Sequence, residues 1–123
     1  MAYSGWEIEE EDRARMLALF KPQFPDVIAH HVTLSPGVKK GTPAPDAADI
    51  RVVGYVKGEG VETLVVEVNG TTERERGGHY HITWSIDREA GFRPVHSNDL
   101  IAEKGFERIV SVIPIKTIPK VFY

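Results

Sequence analysis

The sequence predicts an α+β domain in which an antiparallel, curved sheet or pair of sheets forms a central cleft, with two helices on the outside. Three observations point there. Apolar residues alternate with period two in several runs rich in Val and Ile, the pattern of strands with one face on a core. Only two segments carry helical spacing or helix-end signals, too few for a βαβ array with a parallel sheet. One five-residue phrase occurs twice, as His31-Val32-Thr33-Leu34-Ser35 and His81-Ile82-Thr83-Trp84-Ser85, 50 residues apart and each alternating like a strand.

Taken in order, Met1 to Trp6 has neither a basic start nor an apolar run, so no signal peptide is expected, and no later stretch has the length of a membrane span. Residues 9–20 read as the first helix. Glu9, Glu10, Glu11 and Asp12 suit the positive end of the helix dipole, and Met16, Leu17 and Phe20 recur at helical spacing. Pro22 and Pro25 stop it. The acidic run reads as a solvated first turn, with a partner-binding face as the competing functional reading. Residues 27–35 form the first phrase strand, ended by Pro36-Gly37.

Residues 38–49, with Gly41, Pro43 and Pro45, read as a loop. Lys39 and Lys40 at its start either are solvated or fold over an anionic ligand. Residues 50–57 and 61–69 are strands joined at Gly58-Glu59-Gly60. Asn69-Gly70 breaks the second, and a polar loop over 71–78 carries Arg74 and Arg76. The second phrase strand runs over 80–86 and a turn over 87–93. Ser97 is placed to N-cap a short helix that Gly105 stops. The last long strand covers 107–115, interrupted at Pro114, and Pro119 makes the tail to Tyr123 an edge or an irregular end. The tally is two helices and about six strands in one domain spanning residues 1–123.

Composition bounds the partners. The chain has 41% hydrophobic and 27% charged residues, ordinary for a globular domain. A formal net charge of −3 supplies no basic field for long nucleic acid, so a nucleic-acid-like substrate is small or held by a local patch. With no cysteine, disulfides and thiolate zinc sites are excluded, and an intracellular, cytoplasmic setting is expected.

In a strand, the His, Thr and Ser of each phrase share one face, while Val32, Leu34, Ile82, Trp84 and Ile86 turn to a core. Two such strands side by side gather two imidazoles and two hydroxyls around one cavity. Those are the parts that cleave a phosphodiester with a neighbouring 2′-hydroxyl, or a cyclic phosphate, without metal or cofactor. One imidazole takes a proton from the attacking oxygen and the other gives one to the leaving oxygen. The unperturbed imidazole pKa of about 6.5 suits both tasks. The hydroxyls hold the charged phosphate oxygens. His31 and His81 are thus the candidate acid–base pair, and Thr33 and Thr83 the candidate phosphate anchors. Ser35 and Ser85 extend the same faces. Chance is the competing explanation, since strands are rich in Thr, but two five-residue matches among only five histidines weigh against it.

Among the other candidates, His30 should point to the face opposite His31 and be structural. His79 shares the His81 face, and His79-Tyr80-His81 has the spacing of a strand metal site. A cupin-type metal-binding β-barrel is therefore a rival, with Glu89 and His96 as further ligands. Arg74, Arg76, Arg88 and Arg93 flank the second phrase, and any one of them could grip a phosphate bidentately. Tyr55, Tyr80 and Trp84 could stack on a base, although Tyr80 and Trp84 lie on the core-facing parity.

The pair His31-Val32-Thr33 and His81-Ile82-Thr83, each on a strand, resembles the two-histidine (2H) phosphoesterase superfamily. Its members include RNA 2′,3′-cyclic phosphodiesterases, the cyclic phosphodiesterase parts of tRNA ligases, and phage enzymes that destroy cyclic oligonucleotide signals. Pro94-Val95-His96-Ser97-Asn98-Asp99-Leu100 also looks like the segment after the second motif in some tRNA-ligase-type members. The resemblance implies acid–base roles for His31 and His81 and phosphate-holding roles for Thr33 and Thr83. It further implies a hydrolase for 2′,3′-cyclic phosphate RNA ends or small cyclic or oligonucleotides, with no cofactor, long nucleic acid or membrane partner. The chain departs from the superfamily in being short, with the usual helices between the motifs missing. A module that sequesters a nucleotide without turning it over is the alternative of a different class.

Overall fold

The computed structural model describes residues 2–75 and 77–123. Strand dominates, as two antiparallel sheets accompanied by two helices. In chain order the elements are β1 (Ala2–Ile8), α1 (Glu10–Leu19), β2 (Asp26–Val27), β3 (His31–Val38), β4 (Ile50–Lys57), β5 (Val61–Val68), β6 (His81–Ile86), α2 (His96–Lys104), β7 (Glu107–Ile115) and β8 (Thr117–Phe122). One sheet has the order β3-β1-β8 and the other β2-β6-β5-β4-β7. No helix among the described residues is long and apolar enough to cross a membrane.

Strand β1 went unread in the sequence because Ala2 and Ser4, which alternate inward with Trp6 and Ile8, are too small to carry a hydrophobic pattern. It is the central strand of its sheet. Gly5 is required there, since a Cβ at that position would stand 2.0 Å from the Val32 carbonyl oxygen of β3. The tail around Pro119 is the edge strand β8, which starts at Thr117 and pairs along β1.

The expected strand over 27–35 is instead two strands in two sheets. Asp26 and Val27 pair with β6, and the Ile28 and Ala29 amides continue that ladder onto the Trp84 and Thr83 carbonyls. Ala29, fully buried with φ of 44°, then turns the chain into the other sheet. Strand β3 therefore begins beside β6. It also runs through Pro36 to Val38, because β3 is an edge strand and a missing N–H costs no ladder bond on its open side.

The main core joins both sheets. Trp6, Ile8 and Val32 from one meet Val52, Leu64, Val66, Ile82 and Trp84 from the other, with Met16 of α1 among them. Trp84 also donates its indole N–H to the Phe20 carbonyl at 2.7 Å. A second core, on the opposite face of the larger sheet, packs Val53, Val61, Val65 and Ile86 against Leu100 and Ile101 of α2.

Candidate active site

Strands β3 and β6 send Val32, Leu34, Ile82 and Trp84 to the main core, so alternation turns His31, Thr33, His81 and Thr83 away from it. These four residues line one cavity of about 410 Å³, together with Arg74 and Asn98. The two serines do not. Opposite Gly5 and Ser4 of β1, the β3 register passes from Thr33 to Ser35, and opposite Thr63 and Glu62 of β5 the β6 register passes from Thr83 to Ser85. Each phrase is thus bulged at its fourth residue, which reverses the side on which its serine falls. Ser85 turns to the far side of the sheet and donates to the buried Glu62 carboxylate at 2.6 Å. Tyr55 Oη (2.5 Å) and the Gln23 amide (3.1 Å) complete that carboxylate's donors.

His81 is held by its own strand entry. Its Nδ1–H donates to the His79 carbonyl at 2.8 Å, which leaves Nε2 as the lone-pair nitrogen of the neutral ring. Burial pushes its pKa below the ordinary imidazole value, opposed by that hydrogen bond and reinforced by the Arg74 charge. His31 packs against the rings of Tyr3 and Phe122. Burial lowers its pKa to about 4, with His30 and His81 pushing the same way. In the free protein near neutral pH both rings are therefore uncharged.

The two threonines differ. Thr33 makes no side-chain hydrogen bond with any described residue, so its hydroxyl is available to a ligand. Thr83 is buried and donates to the Pro94 carbonyl at 3.2 Å. Since that spends its one proton, the 2.8 Å contact with Ser97 Oγ is donated by Ser97, and the 2.7 Å contact between Ser97 and Thr63 is donated by Thr63. Ser97 is thus not the expected helix cap. The helix starts from i→i+3 bonds by the His96, Ser97 and Asn98 amides to Arg93, Pro94 and Val95, which frees the serine to point into the sheet.

His30 is exposed and lies beside His31, not on the opposite face. His79 accepts or donates at Thr72 Oγ1, 3.0 Å away, and sits edge-on to Phe106. His96 accepts from the Arg93 amide at 2.8 Å and lines a separate cavity. Glu89 is exposed on a turn, and among the described residues no group of three or more His, Asp or Glu is placed to hold a metal ion. Of the four arginines, Arg74 alone among the described ones reaches the cavity; Arg88 and Arg93 are exposed elsewhere, and Arg76 lies outside the described residues. Lys39 and Lys40 are exposed and do not line it. Tyr80 and Trp84 are buried in the main core.

No family model, curated protein or solved structure matches the chain. A functional reading therefore stands on the site itself.

Proposed function

We propose that the chain is a two-histidine phosphodiesterase that hydrolyses 2′,3′-cyclic phosphate RNA ends or small cyclic or oligonucleotides. The observation that carries this reading is the convergence of His31, Thr33, His81 and Thr83, from two strands in different sheets, on one cavity. In this reading the cavity is the central cleft of the curved sheet pair.

The chemistry needs one imidazole neutral and one protonated. An anionic phosphate entering the cavity favours the imidazolium form of a neighbouring ring, so binding itself recruits the acid. The neutral ring then takes a proton from the attacking water as its oxygen bonds to phosphorus. The P–O bond to the ribose breaks, and the imidazolium protonates the departing ribose oxygen. Each proton transfer contributes roughly 10²- to 10⁴-fold. Thr33 donates to a non-bridging oxygen directly. Thr83 does so by swinging its proton from the Pro94 carbonyl to the phosphate, keeping Ser97 as its own donor.

A panel of 2′,3′-cyclic mononucleotides, cyclic dinucleotides and short RNAs ending in a cyclic phosphate, incubated with and without EDTA, tests this. Turnover of at least one substrate, unchanged by EDTA, is expected. Tight binding without turnover would make the protein a sequestering module, and turnover abolished by EDTA would favour a metal site.

A further inference from the structure

Arg74 enters the cavity from the loop between β5 and β6. Its Nη2 donates to Asn98 Oδ1 at 3.0 Å and its Nε to the Gly77 carbonyl at 3.3 Å. The turn beneath it is closed by the Arg74 amide on the Gly78 carbonyl and the Gly77 amide on the Arg74 carbonyl, both 3.0 Å. Gly77 and Gly78 have φ of 99° and 78°, and a Cβ on Gly78 would meet Arg74 Nη2 at 2.9 Å. Two glycines thus let the guanidinium fold back over its own turn, and Asn98 of α2 fixes where it ends.

None of the ion pairs among the described residues includes Arg74. Its partners are two uncharged oxygens, which occupy two of the five guanidinium N–H donors. Among the described residues no carboxylate lines the cavity, and apart from the histidines Arg74 is the one described ionisable side chain there with a formal charge at neutral pH. An uncompensated, partly buried guanidinium with donors to spare, beside two imidazoles and a free hydroxyl, is a receptor for one oxyanion.

We infer that Arg74 is the cavity's anion-recognition residue, that Asn98 is its positioning residue, and that together they select a singly charged phosphodiester over an uncharged ester. This rests on the phosphodiesterase reading. The charge balance agrees: one guanidinium matches a monoanionic diester, while the dianionic monoester product is matched only if a second positive charge is present, which favours product release when both rings are neutral.

Steady-state kinetics of Arg74→Gln, Arg74→Lys and Asn98→Ala on whichever 2′,3′-cyclic mononucleotide the wild type hydrolyses test the inference, with circular dichroism confirming the fold. Arg74→Gln is expected to raise KM about tenfold or more and to flatten the salt dependence of kcat/KM, as loss of a charge-assisted contact does. Arg74→Lys should recover part of that loss. Asn98→Ala should raise KM a few-fold while kcat stays within about twofold. A wild type that hydrolyses the substrate, with Arg74→Gln unchanged in KM and salt dependence, overturns the role of Arg74 and leaves the phosphodiesterase reading standing. If the wild type hydrolyses nothing, that reading fails, and inorganic phosphate titrated against the His81 imidazole resonances decides the Arg74 question alone. A perturbation lost in Arg74→Gln supports anion recognition there, and no perturbation in the wild type overturns it.

Discussion

The Nδ1 atoms of His30 and His31 stand 3.1 Å apart, a hydrogen bond between neighbours in sequence. Alternation does not separate them because His30 precedes β3 and follows the turn at Ala29. The other nitrogen of His30, Nε2, lies 3.6 Å from a Glu7 carboxylate oxygen. With Nδ1 of His31 engaged by His30, Nε2 is the His31 nitrogen left for a substrate. His30→Ala should therefore lower kcat by about tenfold, in the range of lost orienting contacts. It should also move the acid limb of the profile upward, since the neighbouring ring holds the His31 pKa down. Kinetics against pH, with thermal melts to show an intact fold, check this.

The pH optimum follows from the two lowered imidazoles. With His31 titrating at about 4 and His81 also below its ordinary value, the fraction of free protein holding one protonated and one neutral ring is greatest on the acid side of neutrality. The kcat/KM profile should peak below about pH 6.5 and fall about tenfold per unit well above the peak. In the kcat profile, which reports the substrate complex, the peak should lie higher, because the bound phosphate favours the imidazolium.

Stability should change in the same window. A histidine with its folded pKa depressed binds fewer protons folded than unfolded between the two values. The contribution is thus complete above the unfolded value, about 6.5, and is lost as pH falls toward about 4. Denaturant melts between these limits should show stability rising with pH, by at most about 1.4 kcal/mol per unit for one proton. His31→Gln should flatten that rise, since it removes the titrating ring.

Thr83 and Ser97 share one hydrogen-bond chain, yet their substitutions should separate. Ser97→Ala leaves the buried Thr63 hydroxyl without its acceptor, and a loss of about 1–3 kcal/mol in unfolding free energy is expected. Thr83→Val removes the group facing the cavity, and kcat/KM should fall by more than for Ser97→Ala. Chemical denaturation and kinetics on the same preparations make the comparison.

Much of this geometry was legible in the sequence. Alternation alone fixes that Val32, Leu34, Ile82 and Trp84 turn to a core and that His31, Thr33, His81 and Thr83 turn away from it. What alternation does not report is where it stops: the bulges that carry off Ser35 and Ser85, and the Ala29 turn that moves the chain between sheets. Strand β1 was hidden by its small inward residues. Arg74 could not be told from Arg76, Arg88 and Arg93, because its position depends on a glycine pair and on Asn98, a residue 24 positions away.

The central claim is that two imidazoles from separate strands act together on one phosphodiester. A double-mutant cycle on the best cyclic phosphate substrate, comparing wild type, His31→Ala, His81→Ala and the double variant in EDTA, tests it most directly. Each single change should cost at least about 10²-fold in kcat, and the double should cost far less than the product of the two, because residues that act as a unit are not additive. Either histidine proving dispensable, or the two losses multiplying independently, would contradict it.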